Sequence, residues 1–415
     1  MLKRERTRRQ PAPDTIKDLL PVIVGGDIGA YAMGLEMFEA FGLRSICVAS
    51  SPVAAIKHSN LFGVHHMRRH PTDEELVDTI LGVGRLNPDR KILVLTNNDR
   101  TIRAVTGQRE RFGPQFLLPY PNELVVARLS DKESFNKLAA SVGVLTPTTT
   151  VVDMEGSEKP EWQPPDIEAD FPVVAKPAVQ SEYEQLTFEG KQKVWFIDTP
   201  KQLDNLWDTL IAAGFRGRFL VQQNIPGDDT YLRSLTFYVD SGGEPTLRAG
   251  ARVLLQDPTP LMVGNPVAMI TDPLNDLAEQ GQRILGAAAY SGFANFDVKI
   301  SADTGEPYFL EANPRVGRNS YYVAGAGVNP LQVMVDDLYF HQQRGLSVGW
   351  KRVLYSLVPL PIIRRYVENP FLVAEAEGLA GVGLVVDPLT SPYETSHKRW
   401  LNIQAQRLNW WRKFG

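Results

Sequence analysis

The chain has 415 residues, 43% of them apolar and 22% charged, a soluble globular composition too long for one core, so two or three domains are expected. A net charge of −4 gives no reason to expect a nucleic-acid partner, and a single cysteine, Cys47, excludes an intrachain disulfide and a cysteine-rich metal site. No stretch approaches the ~18–20 apolar residues that span a bilayer, and the basic start MLKRERTRRQPAP lacks the hydrophobic segment of a signal peptide. The expectation is a cytoplasmic protein whose residues 1–19 form a flexible basic tail.

Residues 20–128 read as an α/β domain. The apolar strand PVIVGGD runs into glycines, a helix follows over 30–41 with Gly42 as its stop, and SICVA is the next strand. Gly25-Gly26-Asp27-Ile28-Gly29 is not the G-x-G-x-x-G fingerprint of dinucleotide binding. Gly26 and Asp27 end one strand, and Asn97, Asn98 and Asp99 end another, KILVLTNNDR. Open α/β sheets bind ligands beyond the carboxyl ends of their strands, although turn chemistry alone accounts for the same residues. Near Leu129 the pattern changes. Ser130 and Glu133 form a capping box, and Lys132 stands in the first turn of that helix, against its dipole. Either it is an exposed surface lysine or it has an anion to meet.

Residues 153–170 are rich in proline and acid and read as a surface connection. Lys176 ends the apolar strand FPVVAKPA, where a lysine is costly to bury without an anion. The loop 179–193 holds one glycine, Gly190. A helix opens at Asp198-Thr199-Pro200, with proline near its first position, and the strand RFLVQQNIPGDD follows. LTFYVD and LRAGARVLL pair as a hairpin around 241–244. Arg252 lies within that second, apolar strand, where a salt bridge and an anion contact would serve equally.

After a helix near 276–290 come two strands, 294–300 and 308–313, joined by a turn. If the hairpin closes about Thr304, Asp297 falls opposite Glu311, and Asn313 shares the face of Glu311. Like charges facing each other across a ladder are destabilising. Two carboxylates and an amide oxygen at one place suit Mg²⁺, which takes one or two carboxylates plus phosphate oxygens; an ordinary hairpin with a solvated acidic face has the same sequence. Arg315 and Arg318 follow, suited to holding phosphate or carboxylate in bidentate fashion. Residues 346–415 read as a helical docking segment. From Thr395 onward there are five Lys/Arg and no acid, with Leu401, Ala405, Leu408 and Trp411 at helical spacing. Such a stripe either packs on the body of the protein or makes peripheral contact with a membrane surface.

FDVKI…GEPYFLEANPRVGRN resembles the metal-binding end of the ATP-grasp ligases, whose core is an acid on one strand and E-x-N-P-R on the next. LSDKESFNKLAASVGVLTPTT and FPVVAKPA resemble the entry and second lysine strand of the same module. The resemblance implies α/β and α+β architecture: an ATP-grasp fold over 129–345, with a lid at about 146–225, behind an N-terminal Rossmann-like pre-ATP-grasp domain. It further implies that Asp297, Glu311 and Asn313 hold Mg²⁺ (or Mn²⁺) on the phosphates of ATP, and that Lys132 and Lys176 reach those phosphates. The main chain of Gln223, Asn224 and Ile225 would pair with adenine, and Asp229 (or Asp228) with the ribose. Arg315 would stabilise the transferring phosphoryl group, with Arg252 a further catalytic candidate.

The implied reaction joins a carboxylate to an amine through an acyl phosphate. Within the superfamily, PVIVGGDIGAYAMGLEMFEAFG, TNND and FLEANPRVGRNSYYVAGAGVN look most like the D-aspartate-ligase-like group, whose members couple D-aspartate to a lysine side chain of a peptidoglycan precursor. Gly26, Asp27, Asn98, Asp99, Arg318 and Tyr321 are the expected contacts to the acid, in a chain that would act alone or as a homodimer. Three readings compete: a ligase of another small carboxylate, an ATP-binding regulator without turnover, and a nicotinamide-dependent oxidoreductase judged on the N-terminal βαβ unit alone.

Overall fold

Apolar strands alternating with amphipathic helices give a parallel sheet, because each crossover must cover one face. The computed structural model describes residue 16 and residues 18–179, 182–183 and 185–415; the basic tail lies outside the described residues except at its last positions, as do residues 180, 181 and 184 of the loop over 179–193. The strands are β1 (Leu19–Val24), β2 (Ser45–Ala49), β3 (Phe62–His66), β4 (Lys91–Leu95) and β5 (Phe116–Leu117), in the order β3-β2-β1-β4-β5. The helices are α1 (Ile28–Phe41), α2 (Ala54–Lys57), α3 (Asp73–Leu86), α4 (Asp99–Gly107) and α5 (Glu123–Ser130). Strand order reverses between β1 and β4, so their carboxyl ends flank the crevice where such sheets take ligands. Helix α1 begins two residues earlier than expected, because the Asp27 side chain caps it by accepting the Ala30 N–H at 2.9 Å.

The second unit opens with α6 (Lys132–Ser141). Its cap is Asp131, whose carboxylate accepts the Ser134 N–H, and not the expected Ser130, which already ends α5. A four-stranded antiparallel sheet follows: β6 (Thr149–Asp153), β7 (Val173–Pro177), β8 (Trp195–Ile197) and β9 (Arg218–Gln223), in the order β6-β9-β7-β8. Helix α7 (Pro200–Ala212) covers it, held at its start by a Thr199/Gln202 capping box. Tyr183, Trp207, Phe215 and Phe219 form an aromatic core beneath it.

The large sheet is built from β10 (Leu232–Val239), β11 (Pro245–Gln256), β12 (Pro266–Thr271), β13 (Gly292–Ile300) and β14 (Pro307–Asn313). Helix α8 (Asn275–Ala287) packs with α6 on one face, around Phe237, Phe296 and Phe309. The other face packs on α9 (Tyr321–Gly325) and α10 (Pro330–Leu338) and shares one continuous core with α1. The segment read as helical beyond residue 346 also supplies strands: β15 (Ser347–Gly349), β16 (Leu354–Ser356) and β17 (Val385–Val386) join the same sheet. Helices α11 (Leu360–Tyr366), α12 (Pro370–Gly381) and α13 (His397–Phe414) complete the chain. Among the described residues no helix is long and apolar enough to cross a membrane.

Candidate active site

The hairpin of β13 and β14 sets Asp297 directly opposite Glu311, as the spacing requires. The register is reached differently from expectation. Near the turn Ile300 pairs with Pro307 and Val298 with Phe309; Leu310 is an extra residue, a β-bulge, and it restores the facing carboxylates. Such bulges re-aim side chains beside functional sites. The Leu310 carbonyl, freed from the ladder, accepts the Lys132 ammonium.

Both carboxylates are half-buried and meet at Asn313, whose Nδ2 donates to Asp297 Oδ2 and Glu311 Oε1, each at 3.4 Å. Burial, and then the facing Glu311, push the Asp297 carboxyl up. Lys176 first, then Lys193 and Lys132, hold Glu311 well below the usual carboxylate range. Among the described residues no three His, Cys, Asp or Glu side chains converge on one point. The pair with its amide is a set of hard oxygen donors on one face of the hairpin. The amide nitrogen stands between the carboxylates; turning the amide over, which gives up the hydrogen bond its Oδ1 accepts from Arg315, would present Oδ1 beside them and make a set of three oxygen donors that suits Mg²⁺.

Lys176, at the end of β7, reaches across from the lid sheet to Glu311, Nζ to Oε2 3.3 Å. Lys132 is almost fully buried, lies 5.1 Å from the centre of the Phe135 ring, and has its pKa lowered to about 7, by burial and then by Lys176. Lys193 was not singled out in the sequence. It lies just before β8, and the reasoning applied to Lys176, a lysine beside an apolar strand, would have found it. Its Nζ donates to the Val263 carbonyl at 3.0 Å.

From Asn313 the site continues toward the N-terminal domain. Arg315 donates from Nη2 to Asn313 Oδ1 at 3.0 Å and from Nε to Asp99 Oδ1 at 2.6 Å. Arg318 donates from Nε to Asp27 Oδ2 at 3.0 Å, and Asn97 donates to both oxygens of the same carboxylate. Asp27 and Asp99 thus bring the switch point of the parallel sheet against the E-x-N-P-R segment. Gly29 permits the approach: a Cβ there would lie 2.4 Å from Asn97 Nδ2 and 2.8 Å from the Arg318 carbonyl. Gly26 is explained by packing, since its Cβ would lie 2.8 Å from Pro52 Cα.

Other expected residues fall elsewhere or are engaged locally. The Asn98 side chain caps α4 by accepting the Thr101 N–H, and Asn97 holds the place beside Asp27 instead. Tyr321 donates to Glu39 on α1 at 2.7 Å, and its phenol pKa is raised by burial and by that carboxylate. Arg252 pairs across the ladder with Arg233, which pairs with Val298, the neighbour of Asp297. By strand alternation it lies on the sheet face opposite the two carboxylates and does not join them.

Asp229 is gripped by Gln256, from its main-chain N–H at 2.8 Å and its side chain at 2.6 Å, while Asp228 caps the turn after it. The Gln223 N–H is paired with Thr148, and buried Gln222 donates to Thr149 Oγ1 at 2.9 Å. The main chain of Asn224 and Ile225, by contrast, makes no hydrogen bond among the described residues, an open edge of the kind a purine base needs. In the glycine-poor loop over 179–193, Lys191 lies over the Tyr183 ring and donates to the carbonyls of Tyr183 and Leu186.

No protein-family model matches the chain. It is 26% identical over 406 residues to the D-aspartate ligase of Enterococcus faecium, covering 96% of each chain. Its fold is similar to the structure of N5-carboxyaminoimidazole synthetase from Staphylococcus aureus complexed with ADP, with TM-score 0.57, 12% identity, and 82% of this chain and 83% of the other covered. It is also similar to the L-amino acid ligase of Bacillus licheniformis, with TM-score 0.53, 14% identity, and 78% and 75% covered. The fold of the chain is the ATP-grasp fold.

Proposed function

We propose that this chain, with its ATP-grasp fold and its similarity to a D-aspartate ligase along nearly its whole length, is an ATP-dependent ligase joining a carboxylate to an amine. The observation that carries the reading is the continuity of the polar site. One arginine, Arg315, links the carboxylate–amide set on β13 and β14 to the acidic ends of β1 and β4.

ATP binds between the lid sheet and the large sheet, its adenine on the open main chain of Asn224 and Ile225. Mg²⁺, held by Asp297, Glu311 and Asn313, neutralises the phosphates when bound. Lys176 and Lys132 release Glu311 and Leu310 and turn to the phosphate oxygens. A carboxylate attacking a polyanion needs this preorganised positive charge. The organic acid lies beyond Arg315. Its reacting carboxylate takes the γ-phosphoryl group beside Arg315, forming an acyl phosphate. The amine then attacks the acyl carbon, inorganic phosphate leaves, and an amide remains.

The acid substrate is an amino acid. Arg318 takes a carboxylate, Asp27 and Asp99 take an ammonium, and Arg315 is left to the reacting carboxylate. Two guanidinium groups and two carboxylates suit a dicarboxylic amino acid such as D-aspartate, coupled to the side-chain amine of a peptidoglycan precursor. The test is phosphate release from Mg-ATP across a panel of D- and L-amino acids, with and without amine acceptors. Release that depends on D-aspartate supports the reading; nucleotide binding without release under any pair of substrates refutes it.

A further inference from the structure

The helical stripe near the end of the chain does not pack on the protein. Helix α13 buries the opposite side, Arg399, Ile403 and Trp410. Arg399 fixes that choice by donating to the carbonyls of Ala55 and Leu389 while lying over the Tyr31 ring. Trp400, Leu401, Leu408 and Trp411 are left 58%, 61%, 71% and 39% exposed. Four large apolar side chains along one helix face form a patch that singly scattered surface residues do not make.

The charges on the helix divide in the same way. Three of its cations turn to the body and are neutralised there: Arg399 by Glu394, Arg407 by Asp387 and Lys413 by Asp257. Lys398 and Arg412, one at each end of the apolar stripe, are exposed and make no ion pair among the described residues. No acidic residue occurs from Thr395 onward.

We propose that this face of α13 is a docking surface for an anionic lipid membrane. Its leucines enter the acyl boundary, its two indoles lie at the headgroup level, and Lys398 and Arg412 meet lipid phosphates. Apolar residues backed by tryptophan and flanked by cations are what a helix lying in the interfacial plane requires. A second copy of the chain fits this face badly. A two-fold contact between antiparallel α13 helices brings Lys398 of one toward Arg412 of the other with no acid between them. The exposed face shares no residue with the site described above, so this proposal does not rest on the ligase reading.

The test is sedimentation of the full chain with phosphatidylglycerol–phosphatidylcholine vesicles, with phosphatidylcholine vesicles and with no lipid, for wild type and for Leu401→Gln/Leu408→Gln. Wild type is expected to sediment with the anionic vesicles and release in 0.5 M salt. The variant, with unchanged circular dichroism and unchanged ATP turnover, should need at least tenfold more lipid for half-binding. No binding by wild type, equal binding to both vesicle types, or a variant that binds like wild type overturns the proposal. So does a wild-type dimer, seen by analytical ultracentrifugation, that the two substitutions dissolve.

Discussion

Replacing Lys132 by methionine should abolish turnover and yet stabilise the nucleotide-free protein, by an amount that depends on pH. The lysine is 8% exposed, bonded to the Leu310 carbonyl, set over Phe135, and under the field of Lys176. Burial, then Lys176, take its pKa from 10.5 to about 7, against the opposing pull of Glu311. At about 1.4 kcal/mol per pH unit, holding the charge there costs at most about 5 kcal/mol. Methionine keeps the length and the apolar contact but forfeits the hydrogen bond and the cation–π contact, together about 2–3 kcal/mol. The net gain is about 2 kcal/mol.

Below pH 7 folded and unfolded chains both carry the ammonium, and the full cost applies. Between pH 7 and 10.5 the unfolded chain binds the proton and the folded chain has released it, so wild-type stability rises with pH and the advantage of the variant shrinks. Urea unfolding at pH 6, 8 and 9.5, without nucleotide or Mg²⁺, measures this, and ADP formation under saturating Mg-ATP measures the loss of function. A variant less stable than wild type at pH 6, a difference that does not change with pH, or retained turnover would refute the reasoning.

Glu311→Gln and Lys176→Ala should each lower turnover by at least ~100-fold, the scale of losing one electrostatic stabiliser, with circular dichroism unchanged. Their effect on stability should stay within about 1 kcal/mol, because the 3.3 Å pair between them has its Glu311 side chain 45% exposed to screening water. Arg318→Lys should raise KM for the acid substrate by about tenfold or more and leave KM for ATP unchanged in steady-state assays, since an ammonium cannot reproduce the planar fork. Gly29→Ala should destabilise by about 1–3 kcal/mol in thermal unfolding, because the new Cβ meets the Arg318 main chain at 2.8 Å as well as the Asn97 side chain.

How far the sequence reaches is decided by range along the chain. Asp297 opposite Glu311 was open to counting because a hairpin is local, but the count assumed an even ladder, and only the Leu310 bulge makes it true. A lysine at the end of an apolar strand is costly without an anion, and Lys176 does meet Glu311; Lys132, set against its helix dipole, meets the Leu310 carbonyl. The cap of α6 lies one residue beyond the expected Ser130, since Ser130 and Asp131 are both good N-cap residues and only the preceding helix decides between them. Arg252 needed the register of β10 against both β11 and β13, which no local pattern carries. In α13 both faces have apolar residues at helical spacing, and what selects the buried one is an arginine bonded to a carbonyl 344 residues away.

Least legible of all is the exchange of partners. The cations expected from the sequence to meet substrates are paired with anions of the site itself: Lys176 with Glu311, Arg315 with Asp99 and Arg318 with Asp27. These pairs join residues 135, 216 and 291 positions apart. Each half of such a pair looks in the sequence like an unpaired charge waiting for a ligand. Paired, they neutralise one another in a crowded polar site, and under the function proposed above substrate binding trades one ion pair for another. The cost of separating the charges is then set by the partly wet pairs, not by bare buried ions. Under the proposed function, the same residues that pair with one another exchange those partners for a phosphate, a cation and an acid.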